Sequence, residues 1–222
     1  MNADSLLSAA ASAPVERAER CRNKPLLRTL DRRKRIEIPE GGGQSAMLEE
    51  NGQADALESI HFTLCLCVLL RCVAKDGKIH SALLHISSEL GVTKEQEEII
   101  RAMTVCGPVQ AVIVRGPVGH DENMSGKNML GISLTQVLSK YNNMTVERRV
   151  LLPIPKGYGN VFSMTYFPQE NFAIAHADEE GKDYFCPGPG YRKPPEKPHS
   201  GGFAGKWCRE VLLKIRTLLL RQ

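Results

Sequence analysis

The chain has 222 residues, 42% hydrophobic and 24% charged, which suits one sizeable soluble core with or without tails. No window reaches the roughly eighteen uncharged apolar residues of a membrane-crossing helix. The formal charge of +4 is unevenly spread: residues 1–45 carry net +3, residues 187–222 carry net +6, and the body between them carries net −5. An acidic body with basic arms argues against a specific nucleic-acid-binding core.

Residues 1–45 read as a disordered N-terminal tail. They begin with the small, polar "MNADSLLSAAASAP", which has no basic-then-apolar signal for Sec export. That start is similar to the unstructured leader of type III secretion substrates. "RTLDRRKRIEIPEGGGQ" adds a basic run, a proline and three glycines, with little apolar periodicity. The body, 46–186, alternates in period. Residues 60–74 form a β-rich apolar run, and 78–86 a second. "TKEQEEIIRAM" opens with Thr93 and has Gln96 three residues on, a capping-box pattern. A strand is expected over 109–116, a loop over 117–130 and a helix over "SLTQVLSKYNN". "ERRVLLPI", "NVFSMTYF" and "FAIAHAD" read as three further strands. The expected fold is therefore α/β (α+β): a single mixed sheet with packed helices, in the order β-β-α-β-α-β-β-β. A Pro/Gly linker, 187–205, follows. Residues 206–222 then form a basic amphipathic helix suited to packing on the sheet, to an anionic membrane surface or to a partner protein.

The seven cysteines do not have the spacing of a disulfide scaffold, and a reducing compartment is expected. Three of them, with two histidines, fall in "TLCLCVLLRCVAKDGKIHSALLHI" (63–86). "AKDGK" fits a three-residue turn with Gly77 in the left-handed position. That turn sets Ala74 against Lys78, and hence Cys67 against His85 on one face and Cys72 against His80 on the other. Directly opposed side chains have Cβ atoms roughly 4.5–5.5 Å apart, within reach of a thiol–imidazole hydrogen bond. An imidazole that takes the thiol proton makes the sulfur a nucleophile toward amide carbonyls. Thr63, four residues before Cys67, shares its face and is a candidate to orient the ring. The competing expectation is plain: free cysteine in an apolar strand is usually core. Zinc fits poorly, because Cys65-x-Cys67 in an extended strand is not a knuckle. No metal and no cofactor are expected.

The Cys strand "TLCLCV", the His strand "LLHISS" and the downstream "VQAVIVRGPVG" resemble the glutamine deamidases of the cytotoxic necrotizing factor, Burkholderia lethal factor and chemotaxis chemoreceptor deamidase group. The resemblance spans about residues 58–150 and is one of topology and spacing. It implies a cysteine-dependent enzyme acting on glutamine side chains of a protein, with Cys67 as nucleophile and His85 as base. It also implies, with the leader and basic arms, an effector delivered by a non-Sec route into a host cytoplasm. That group usually carries Gly or Ser before its Cys, where this chain has Leu66 before Cys67 and Leu64 before Cys65. Cys65 with His80 is the alternative assignment, although the hairpin register sets Cys65 against residue 87 and far from His80. A non-catalytic adaptor and a cysteine protease are the other readings.

Overall fold

A computed structural model describes residues 13–21, 34–48, 55–62, 65–116, 140–141, 143–153, 161–177 and 181–191. Thr63, the helix expected over 206–222, the whole 117–130 loop and most of the helix expected after it lie outside the described residues.

The fold differs from the expected single helix-packed sheet. Of the described residues, 58% are strand and 10% helix, in two mixed sheets with one helix between Lys94 and Cys106, here α1. In chain order the strands are β1 (Val15–Arg17), β2 (Glu19–Arg20), β3 (Arg35–Glu37), β4 (Gly43–Leu48), β5 (Ala56–Phe62) and β6 (Leu66–Val73). After these come β7 (Ile79–Ile86), β8 (Val109–Arg115), β9 (Met144–Leu151), β10 (Phe162–Phe167), β11 (Phe172–Ala177) and β12 (Lys182–Pro187). One sheet runs β1-β9-β8-β6-β7-β4, the other β2-β12-β11-β10-β5-β3.

The physical reason for the difference lies in how the chain changes sheets. The apolar run over 60–74 is not one strand. β5, ending at Phe62, belongs to one sheet and β6, beginning at Leu66, to the other. Four strands also come from residues 13–48, most of it read as tail. β1 pairs with β9 and β2 with β12, so the chain passes from sheet to sheet at buried Ala18. At another place β3 lies on β5 and β4 on β7, with residues 38–42 making the crossing.

The two sheets face each other across one apolar core. Cys67 and Leu69 of β6 and Leu83 of β7 meet Phe62, Phe162, Met164 and Tyr166 there. Neighbouring side chains on β6 and β7 (Val68, Leu70, Cys72, Ala82, Leu84, Ile86) point the opposite way, onto Ile100 and Met103 of α1. The central strands are therefore covered on both faces, which is why their sequence shows an unbroken apolar run instead of alternation. Each fully buried Phe or Leu contributes about 1.5–3 kcal/mol of transfer free energy. Among the described residues no helix is long and apolar enough to cross a membrane.

The hairpin has the expected register. Gly77 has φ +83, its N–H donates to Ala74 O, and Ala74 N–H donates to Lys78 O. Cys67 pairs with His85, and Cys72 with His80.

Candidate functional site

Three separate stretches of chain meet where the sheets are stitched together. Glu40 sits on the crossing from β3 to β4, Cys65 on the crossing from β5 to β6, and His85 near the end of β7. A carboxylate oxygen of Glu40, the sulfur of Cys65 and a ring nitrogen of His85 all lie within 4.8 Å of one another. Cys65 Sγ is 3.5 Å from Glu40 Oε1, which also accepts a 2.7 Å hydrogen bond from Ser87 Oγ.

The helix start holds this junction. Thr93 is the N-cap of α1, and Gln96 completes the capping box. Gln96 does more than cap: its Oε1 accepts from Thr93 N–H, while Nε2 donates to Gly42 O at 2.9 Å and to His85 O at 2.8 Å. Thr93 Oγ1 donates to Gly41 O. The backbones of His85 and the Gly41–Gly42 loop also exchange hydrogen bonds, Gly41 N–H to His85 O and His85 N–H to Gly42 O. Gly41 has φ +75, a conformation a side chain would strain. The glycine run in the presumed tail is thus the turn that brings Glu40 to the histidine.

His85 is fully buried, and its tautomer follows from its neighbours. Ser59 Oγ is 2.8 Å from His85 Nδ1 and 2.6 Å from Ile38 O. A carbonyl only accepts, so the single hydroxyl proton goes to Ile38 O. Ser59 then accepts from Nδ1–H. Nε2 is left with its lone pair bare, buried and without a hydrogen-bond partner among the described residues. Phe62 stacks on the ring with centroids 3.8 Å apart. Burial pushes His85 down to about 4, against the opposing pull of the Glu40 carboxylate, so at neutral pH the ring is neutral. Glu40 is held below the usual carboxylate range, chiefly by the Ser87 hydroxyl, and is ionised.

A bulge in β5 supplies both the hydrogen bond and the stack. Against β10, Phe62 pairs with Phe162 but Ser59 with Met164, so β5 has one residue more than its partner. His61 lies in the bulge with φ +63. Residues three apart on a regular strand face opposite ways; the extra residue lets Ser59 and Phe62 both face inward onto His85.

Of the residues singled out in the sequence, Cys67 lies directly across from His85. It is fully buried in the core between the sheets, and desolvation, with Cys186 of β12 adding to it, pushes its thiol well above the ordinary range. Cys65 lies on the same side of the hairpin, two residues nearer the crossing and beside exposed Glu40. His80 pairs with Cys72 on the α1 side, away from the cluster. Thr63 falls outside the described residues, and the orienting contact to His85 comes from Ser59. Sequence reading missed Glu40, Ser59 and Ser87. The only signal for them was the "PEGGG" turn, whose glycines mark a close backbone approach as readily as a linker. No protein-family model matches this sequence, and no curated protein matches it either.

Proposed function

We propose that the protein is a cysteine-dependent amidohydrolase acting on glutamine side chains of a protein target, with Cys65 as nucleophile and His85 as general base. The observation that carries this reading is a histidine oriented through Ser59, with Nε2 buried and unpartnered among the described residues and a ring nitrogen within 4.8 Å of the Cys65 sulfur. Cys67 is less suited: its thiol has no surface, and burial opposes its ionisation.

The neutral imidazole sets the form of the step. His85 rests as a neutral imidazole, so it takes the thiol proton as the sulfur attacks. Sγ bonds to the amide carbon while its proton passes to Nε2. Nε2–H then protonates the departing nitrogen, which leaves as ammonia. Water attacks the thioester, gives a proton to Nε2, and the sulfur leaves and recovers that proton. Glu40, anionic beside the ring, favours the transient imidazolium. The glutamine specificity and the setting in a host cytoplasm come from the resemblance and the leader composition alone.

The test is incubation of the full chain with host-cell lysate and with glutamine peptides, followed by mass spectrometry for side-chain amide converted to acid. The expected result is conversion that Cys65→Ser abolishes and Cys67→Ala retains. Conversion that persists in Cys65→Ser would overturn the assignment. Backbone cleavage in place of amide conversion would make the protein a cysteine protease, and no Cys65-dependent change in any protein would favour the non-catalytic adaptor.

A further inference from the structure

Glu40, Cys65 and His85 are three ligand types of the kind that bind a borderline-soft divalent cation. The sulfur–carboxylate separation of 3.5 Å is already that of two ligands on one zinc ion. Zinc–ligand bonds of about 2.0–2.3 Å put tetrahedral neighbours about 3.3–3.8 Å apart. A ring nitrogen of His85 lies within 4.8 Å of both the sulfur and the carboxylate oxygen.

Two features separate this cluster from a chance meeting of polar groups. Each of two ligands has its own orienting partner: Ser59 fixes the His85 tautomer through Nδ1, and Ser87 Oγ donates to the Glu40 carboxylate. Histidine ligands to metals are commonly held in this way, with the second ring nitrogen engaged behind them. The other feature is His85 Nε2 itself. It is a fully buried acceptor with no partner among the described residues, and a buried polar atom left unpaired costs about 1–3 kcal/mol. A coordinated cation would satisfy it.

We propose that Glu40, Cys65 and His85 form a three-ligand site for Zn²⁺, open at a fourth position on the exposed Glu40 side. One thiolate and one imidazole among three ligands select zinc or cobalt over magnesium or calcium, which take oxygen shells. On binding, the Cys65 thiol releases its proton to solvent and the thiolate bonds the metal. Binding itself does not depend on the amidohydrolase reading. If that reading holds, the metal occupies both the nucleophile and the base, and zinc reversibly inhibits the enzyme.

The experiment is a titration of the chelator-treated full chain with Co²⁺, followed by absorption, with Zn²⁺ as competitor. The expected result is a near-ultraviolet thiolate-to-cobalt charge-transfer band with intense visible bands of tetrahedral form, saturating at one equivalent and erased by Zn²⁺. Cys65→Ser should remove the charge-transfer band. Glu40→Gln, a change at an exposed side chain, should weaken binding about tenfold or more. Cys67→Ala should leave both intact. Absence of the bands, or a charge-transfer band that survives in Cys65→Ser, would overturn the site. Because no substrate is involved, an inactive protein that shows the bands would sink the amidohydrolase reading and leave the metal site standing.

Discussion

Cys65 and Cys67 are two residues apart on the same side of the sandwich, yet their surroundings differ in kind. Cys67 is deep in β6, paired with His85 in strand register and walled by apolar side chains, with its thiol held protonated by burial. Cys65 lies just before β6, where the chain crosses between sheets, beside a carboxylate that reaches solvent. The contrast teaches that strand register brings residues to the same place but does not decide what they can do there. Register brought a cysteine to the histidine; the sheet crossings brought charge, a surface and a second cysteine.

The largest expected effect divides the two directly. Cys65→Ser should lower amidase activity on the order of 10³-fold or more, as loss of a nucleophile does. Cys67→Ala should leave activity within about tenfold and cost about 1 kcal/mol of stability in denaturant unfolding, the effect of a small cavity. A reversal of these outcomes would return the nucleophile to the strand interior.

The burial of His85 has its own signature in pH. Its ring titrates near 4 in the folded protein, against about 6.5 unfolded, so between these values the unfolded chain binds the extra proton. Stability from this group is therefore complete above about pH 6.5, falls as pH drops toward 4 and levels off below. The loss amounts to about 3 kcal/mol. Denaturant unfolding at a series of pH values should show this slope in the native chain and lose it in His85→Asn.

Gln96 tests what holds the crossing to the strand. Its three hydrogen bonds join the helix cap, the Gly41–Gly42 loop and the backbone of His85. Gln96→Ala takes one of two hydrogen bonds from each of the Gly42 and His85 carbonyls and removes the Gln96 acceptor of Thr93 N–H, and should cost about 1–2 kcal/mol in unfolding. It should also weaken the coupling of Glu40 to the site while leaving the environment of Cys67 unchanged. The smallest effect expected has the opposite sign. His61→Gly relieves the left-handed backbone of the bulge and should stabilise the protein by about 1 kcal/mol or less, with Ser59 and Phe62 still facing His85.

The local signals in the sequence were sound where one interaction dominates. Asp76 and Gly77 define the hairpin turn, and Thr93 with Gln96 define the helix start, because each depends on residues a few positions apart. The register of Cys67 with His85 followed from the turn. The sheet count did not, because the change of sheet from β5 to β6 is marked by no proline or glycine and leaves the apolar run of the sequence unbroken. The site was half legible for the same reason. His85 and the cysteines carry recognisable chemistry, whereas Ser59 reaches the ring only through a bulge and Glu40 only through a crossing. Their roles come from contacts 25 or more positions away. No periodicity records such contacts.

The central claim is that the reactive thiol is at the crossing and not in the strand. Alkylation of the folded chain by iodoacetamide at neutral pH, mapped by peptide mass spectrometry with and without His85→Ala, tests it most directly. The account predicts that Cys65 is modified well ahead of Cys67 and that loss of His85 slows Cys65 selectively. Modification of Cys67 first, or inertness of Cys65 until the protein unfolds, would contradict it.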